Sequence, residues 1–385
     1  MNRTLVVLAL GAFASAASMR VTDALLPRFA QTFGVGLANA SLSITAFAVA
    51  YGIMQLPFGP LGDRFGKLRV ISAASAGAAA ASVACFLAPG FGTLIAARIA
   101  AGGFCACMIP LAMAWIGDVV PYGERQPVLA RFLIGQILGL ASGAAVGGFA
   151  AESADWRWPF AILAVWLAAS SAAVGWQARS DPAPRAPGNR FFRDLAGVLS
   201  APWARIVVAT VFVEGTVVFG ALAFIPTHLH LERGAEMSHA GLTLLAFGAG
   251  GVGFAIGARR ALKRLGEAGL ALGGGLLLSA GLATLAGAPA AAAWAGCLAA
   301  GLGFYMLHNT LQTNATQMAP ERRGAAMALF ASSFFLGQST GVALAGVLAQ
   351  RAGTTALIAA GSLLILPIGG GFAALVRAHR KQDIA

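Results

Sequence analysis

Residues 58–69 read FGPLGDRFGKLR, with one acid, three bases and three glycines in a short stretch. The runs on either side, 38–58 and 70–88, carry no charged residue. A polar turn between two apolar runs of about 20 residues is what a chain needs to cross roughly 30 Å of hydrocarbon and return. The rest of the chain follows suit: 58% of its residues are hydrophobic and 10% charged, and the mean hydropathy is +0.78. Soluble domains carry about 25% charged residues, so a soluble fold is excluded. This is a polytopic membrane protein. The net charge of +12 does not point to nucleic acid, because the bases cluster in short loops between apolar runs.

Twelve spans are expected, roughly 4–29, 38–58, 70–88, 92–119, 128–151 and 157–178, then 205–231, 239–258, 267–287, 290–317, 325–349 and 354–376. With the N-terminus inside, twenty Lys and Arg fall on the inner side and four on the outer side (Arg28, Arg157, Arg233 and Arg351). That asymmetry places both termini in the cytoplasm and the protein in the cell membrane, inner or plasma. The opening MNRTLVVLALGAFASAASM has the look of a signal peptide. We read it as span 1, since its removal would leave an odd number of spans. Cys85, Cys105, Cys107 and Cys297 all lie inside apolar runs and read as small packing residues.

The Pro- and charge-rich segment 179–203 reads as a cytoplasmic linker between an N-terminal six-helix bundle, 1–178, and a C-terminal one, 204–385. A repeat supports that division. AAGG at 100–103, Pro121 and GQILG at 135–139 return as AAGLG at 299–303, Pro320 and GQSTG at 337–341, about 200 residues later. Paired six-span halves are a transporter architecture, with the binding site between them.

Gly59, Asp63, Arg64, Gly66 and Lys67 match in register the loop pattern of the major facilitator superfamily: Gly, three residues, Asp-Arg, one residue, Gly, then Arg or Lys. The chain resembles that family over nearly its whole length. The resemblance implies an all-α membrane protein of twelve transmembrane helices in two pseudo-symmetric six-helix bundles. It also implies that Asp63 faces the start of span 11 near Gly324 and Ala325, and that Lys67 pairs with Asp118. These contacts would clamp the inner gate while the protein opens outward and break when it opens inward. Topology alone would account for the bases but not for Asp63. The second-half loop, GARRALKRLG at 257–266, keeps the bases and has no Asp. Span 5 carries GLASGAAVGG at 139–148, similar to the family's antiporter pattern at Gly139, Gly143, Gly147 and Gly148, with Ala144 in place of the proline. Small residues there favour close helix packing; the missing proline leaves export direction open.

An ionisable side chain in the hydrocarbon is a functional candidate by default. Arg20 and Asp23 share one face of span 1, Arg98 lies in span 4, Glu214 sits near the middle of span 7, and His308, Asn309, Gln312 and Asn314 are on span 10. The resemblance implies that spans 1, 4, 7 and 10 line the central cavity. Burial favours the neutral form of a carboxyl, so Glu214 is the expected proton carrier, with Asp23 the alternative and Arg98 helping to discharge the acid. His308 can titrate near neutrality, though such a histidine is more often a hydrogen-bonding group. His228 and His230 look interfacial, and no metal site is expected. Tyr51, Phe104, Phe212, Phe219 and Tyr305 are aromatic residues that either line the pocket or pack.

The expected function is secondary transport: proton-coupled efflux of small amphipathic compounds by alternating access. The alternative is a proton symporter importing a small organic anion, for which Arg20 and Arg98 would be suited. No metal-binding His-Glu helix motif, paired aspartate site, serine elbow or Gly-Lys-Ser/Thr phosphate loop occurs, so an enzyme and an ATP-driven pump are set aside. The expected partners are a small-molecule substrate, protons and the lipid bilayer, with no cofactor, and the chain is expected to act as a monomer.

Overall fold

In hydrocarbon a lone apolar segment satisfies its backbone groups internally only as a helix. The computed structural model obeys this, with helices and turns and no strand among the described residues. Those are residues 2–153, 155–179 and 191–384. Eight helical stretches are single spans: Arg3–Phe33, Leu37–Phe65, Lys67–Phe86, Phe91–Val119, Arg131–Glu152, Trp158–Ala178, Pro202–Leu231 and Ala290–Gln317. Two longer stretches, Met237–Gly287 and Pro320–Arg380, hold two spans each, joined at Gly266 (φ 65°) and Gly353 (φ 84°). That left-handed backbone is one glycine adopts without penalty. Twelve crossings result.

Of the expected linker, residues 180–190 lie outside the described residues, with Arg185 and Arg190, as does the side chain of Lys381. The remainder is not all loop, since Phe191–Leu199 is a helix. Its Asp194 pairs with Arg322 at 3.5 Å, and the Phe191 ring lies near Gly59.

Spans 1, 4 and 7 are broken. Helix Asn2–Arg20 gives way to a turn and the 3₁₀ segment Asp23–Leu25 before Leu26–Phe33. Span 4 breaks between Phe91–Cys105 and Met108–Val119, and span 7 between Pro202–Leu222 and Ile225–Leu231. Each break lies just before a proline, Pro27, Pro110 and Pro226, in the stretches LLP, MIP and FIP. Proline lacks the N–H and clashes with the carbonyl four residues back, which here is that of Asp23, Ala106 or Leu222.

The two halves repeat at the level of backbone contacts. A methyl on Gly102 would strike the Phe47 carbonyl, and one on Gly301 the Phe247 carbonyl. Gly139 and Gly143 lie against the carbonyls of Phe13 and Ala17; Gly337 and Gly341 lie against those of Phe212 and Thr216. Gly34 and Gly234 (φ 63° and 68°), and Gly66 and Gly266 (φ 92° and 65°), close corresponding turns. The packing equates Gly139 with Gly337, whereas GQILG and GQSTG matched as strings equate Gly135 with Gly337. The string match is one helical turn out of register, an ambiguity inherent in glycines spaced four apart.

We call the face carrying the clustered Arg and Lys the inner face. Contacts between halves run from mid-membrane to the outer face. Tyr51 meets Phe335 at 4.4 Å, Gly52 abuts Leu336, Ala144 faces Gly241, and Gly148 abuts the Met237 carbonyl. At the outer rim, Glu152 Oε1 accepts from the Ser238 N–H at 2.9 Å, and Gln350 Oε1 accepts from the Ala38 N–H at 3.1 Å. Each side chain ends a span of one half and caps the first turn of a helix in the other. Towards the inner face the innermost of these contacts is Gly248 beside Ala141 and Ile137, apart from the touch of Phe191 on Gly59. Among the described residues these contacts between halves lie from mid-membrane outwards, the pattern of an inward-open arrangement.

Candidate functional site

The break in span 1 leaves backbone carbonyls to be satisfied in the membrane, and Arg98 supplies the donors. Fully buried, it donates from Nη1 to the Ser18 carbonyl at 2.8 Å, from Nε to the Ser43 carbonyl at 3.0 Å and from Nη2 to Thr22 Oγ1 at 3.4 Å. Its guanidinium lies 4.2 Å over the Phe47 ring. One cation thus ties spans 1 and 2 to span 4. In this arrangement Arg98 is engaged inside the N-terminal half and makes no bond to Glu214.

Asp23 begins the 3₁₀ turn, and Arg20 Nη1 donates to its Oδ2 at 2.9 Å, both side chains being buried. Asp23 Oδ1 has no hydrogen-bond partner among the described residues. The Arg20 guanidinium lies 4.4 Å over Phe219 of span 7, so this pair reaches across the interface.

The C-terminal half holds a different pair. Glu214 is fully buried, and its Oε2 lies 2.8 Å from His308 Nδ1 of span 10. Its other oxygen, Oε1, is unpartnered among the described residues. The imidazole stacks on Phe304 (5.0 Å) and is flanked by Phe334 (4.7 Å) and Phe330 (5.5 Å). Phe219 touches both Phe304 (5.5 Å) and Phe334 (5.3 Å). An aromatic wall therefore runs from Arg20 to His308. Gln338 of span 11, absent from the sequence expectations, is buried, and neither amide atom has a hydrogen-bond partner among the described residues. Residue 215 packs against its backbone, which puts it next to Glu214 in the fold.

The other expected site residues divide. Asn309 and Gln312 are exposed and with Thr313 form a polar stripe on the inner half of span 10. Asn314 does not join it. Its Nδ2 donates to Glu267 Oε2 at 3.3 Å, and Glu267 pairs with Arg380 at 2.6 Å, a contact within the C-terminal half near the inner face. Phe104 is partly exposed and covers Gly77 of span 3, away from this wall. His228 is not interfacial; it is buried, with Nδ1 3.0 Å from Thr354 Oγ1 and Nε2 3.0 Å from the Leu285 carbonyl.

At the inner face Lys67 Nζ lies 2.7 Å from Asp118 Oδ2 and 3.1 Å from Asp63 Oδ1. All three residues belong to the N-terminal half, so the Lys67–Asp118 pair cannot clamp one half to the other. Asp63 is paired with Lys67 and, among the described residues, makes no contact with span 11, as expected of a gate contact that breaks when the protein opens inward. Arg64 lies over the adjacent Phe65 ring. In span 5 Gly139, Gly143 and Gly147 lie along span 1 on the carbonyls of Phe13, Ala17 and Val21, while Gly148 meets the other half.

The sequence profile of the Major Facilitator Superfamily matches residues 8–342. An MFS-type transporter of Bacillus subtilis, YceJ, is 25% identical over 85% of this chain and 84% of its own length. The puromycin resistance protein pur8 of Streptomyces alboniger is 30% identical over 50% of this chain, which spans only 38% of pur8. Among solved structures, a bacterial homologue of the lysosomal transporter Spinster, inward-facing and unoccupied, superposes with TM-score 0.73 at 17% identity over 97% of this chain and 96% of that one. A D-xylose–proton symporter gives TM-score 0.73 at 16% identity over 96% and 95%.

Proposed function

The chain belongs to the Major Facilitator Superfamily, and on that premise we propose that it is a proton-coupled exporter of small amphipathic compounds, acting as a single chain in the cell membrane. The observation that carries this reading is the buried Glu214–His308 pair, with one carboxylate oxygen unsatisfied and an aromatic wall beside it. A carboxylate so far from water is stable when it holds a proton, a counter-ion or a cationic cargo, and two of these cannot occupy it fully at once. Competition of that kind is the minimal device for exchange. Asp23 fits the task less well, because Arg20 already neutralises it.

The cavity chemistry also favours export of neutral or cationic amphipaths over import of an organic anion. Arg98 spends its donors on the protein's own oxygens, and Arg20 is bound to Asp23. Glu214 Oε1 remains as an acceptor, beside aromatic faces that attract cations. The exposed stripe Asn309, Gln312 and Thr313 leads from His308 to the inner face, the side on which an exporter collects its cargo. That two relatives carry resistance names, pur8 and the fatty acid resistance protein FarB of Neisseria gonorrhoeae, supports the same direction.

The test uses everted vesicles with a preformed proton gradient, challenged with puromycin and a panel of amphipathic cations. Substrate should collapse the gradient with the native protein and leave it intact with Glu214→Gln. Unaltered gradient collapse in that variant overturns the role of Glu214, and gradient formation on adding an organic anion overturns export.

A further inference from the structure

On the lipid-facing side of the N-terminal half, away from the charged centre, spans 1 and 6 do not close over their full length. Between them lies an apolar groove of about 630 Å³, walled by Val7, Leu10, Ile162, Val165 and Trp166. Trp166 forms its floor: the ring stacks on Phe13 at 4.9 Å, and Nε1 donates to the Leu10 carbonyl at 3.2 Å. At its inner end the groove shares Val7 with a second hollow of about 400 Å³, lined by Arg3, Val6 and Gln177. The apolar channel thus ends in a polar mouth.

The mouth has a definite charge. Arg3 and Arg179 end spans 1 and 6 at the inner face, both exposed, with the Arg179 guanidinium 5.1 Å over the exposed Trp176 ring. Residues 1–22 and 156–180 hold no Asp or Glu, and the next acid along the chain, Asp181, lies outside the described residues. Gln177 is tied through Oε1 to the Thr4 hydroxyl at 3.1 Å, which leaves its amide N–H groups free to donate. Along span 6 the lining extends from Ala173 to Ala161, about 18 Å of helical rise, comparable to one hydrocarbon leaflet of about 15 Å.

We propose that this groove is a binding site for one anionic phospholipid of the inner leaflet, an acyl chain lying along Trp166 and the phosphate held by Arg3, Arg179 and the Gln177 amide. An apolar slot one leaflet long fits an acyl chain, and two exposed arginines at the same end favour a negative headgroup over a zwitterionic one. An arginine near an anionic surface contributes about fivefold in partitioning. The site is separate from the transport chemistry, so its failure would leave the Glu214 reading untouched.

The experiment reads quenching of Trp166 in phosphatidylcholine vesicles doped with chain-brominated phosphatidylglycerol or chain-brominated phosphatidylcholine at equal mole fraction. The Trp166 contribution is the difference between the native protein and Trp166→Phe. Phosphatidylglycerol should quench it about 25-fold more effectively, about fivefold for each arginine, and Arg3→Gln with Arg179→Gln should reduce that ratio to about one. Ala169→Leu, which fills the groove without touching the mouth, should suppress quenching by both lipids. Equal quenching by the two lipids in the native protein, or a preference that survives loss of both arginines, overturns the proposal. So does a Trp166 shielded from both lipids, the result expected if a second copy of the chain covered the groove.

Discussion

The two halves share a backbone and differ in chemistry. About 200 residues apart, Gly34 and Gly234, Gly66 and Gly266, and the Phe47–Gly102 and Phe247–Gly301 contacts occupy equivalent places. The buried charges do not repeat. Counting on the 199 residues that separate Phe13 from Phe212 and Gly102 from Gly301, Asp23 corresponds to Leu222, Arg98 to Cys297, Glu214 to Ser15 and His308 to Ile109. In the N-terminal half Arg98 holds two carbonyls and a hydroxyl, and Asp23, though its Oδ1 is also unpartnered among the described residues, is held by the fixed cation of Arg20. In the C-terminal half the half-satisfied carboxylate has a histidine for its partner and no arginine. A symmetric frame can rock about its interface whatever its side chains, but only an unsatisfied group can exchange ligands. One half braces and the other responds.

That contrast breaks most visibly on substitution of Arg98 by an apolar residue. Arg98→Leu strands the Ser18 and Ser43 carbonyls in the membrane and should cost about 3–5 kcal/mol. The measurement is thermal unfolding of the purified protein in detergent. Glu214→Gln, which keeps the shape and a hydrogen bond to His308, should unfold within about 1 kcal/mol of the native protein while losing the coupling proposed for it. Comparable losses of stability in the two variants would remove the distinction between brace and responder.

Next in size are the span 1–span 5 contacts. Gly143→Ala puts a methyl against the Ala17 carbonyl, and the helices must separate to admit it. Overpacking of this kind costs about 1–3 kcal/mol. The equivalent Gly341→Ala, against Thr216, should cost a similar amount. The same unfolding assay checks whether the halves are mechanically equivalent, and a cost confined to one of them would show that the repeat is only approximate.

Both sites bear on how much is legible from residue order alone. Twelve crossings are, because apolar length and the Arg and Lys distribution are one-dimensional properties. The breaks in spans 1, 4 and 7 are legible in retrospect, each marked by a proline after two apolar residues. What residue order hides is helix rotation. These helices are apolar nearly all round, so no stripe indicates which way each faces. Glu214 and His308, 94 positions apart, meet only because spans 7 and 10 turn those faces to each other. The same ambiguity separates Phe104 from the wall and Asn314 from the polar stripe. Arg98 was easy to single out and hard to assign, since its partners are backbone carbonyls that no residue type reveals.

A smaller effect should appear at the outer rim, where the caps repeat but their charge does not. Glu152 caps the first turn of span 8 with a carboxylate, and Gln350 caps that of span 2 with an amide. Loss of a helix cap costs about 1 kcal/mol, so Glu152→Ala and Gln350→Ala should each shift the population towards the outward-open form about fivefold. Spin labels at Asp155→Cys and His239→Cys report the change, and the four native cysteines are buried and do not interfere. Added salt should weaken the Glu152 cap and leave the Gln350 cap unchanged, because only the former is a charge facing a helix dipole. Equal salt sensitivity would show that the charge is immaterial.

The smallest effect is expected at the inner turns. Lys67 lies between Asp118 and Asp63, while the matching turn of the C-terminal half carries Glu267, paired with Arg380. The two acids around Lys67 are more than half exposed, so the cluster contributes about 0.2–1 kcal/mol, and Lys67→Met should lower stability by no more than that. Partial burial alone would pull the ammonium down, but the bonds to Asp118 and Asp63 outweigh it and hold Lys67 above the ordinary lysine value of 10.5. A group raised on folding stabilises fully below its unfolded value, and the stabilisation is lost as pH rises through the folded value. The native protein should therefore lose this increment only above about pH 10.5, and Lys67→Met should show no such alkaline step. Unfolding measured from pH 8 to 11 decides it. A step that survives in Lys67→Met would have to come from other titrating groups and would leave the two inner turns energetically alike despite their opposite charge.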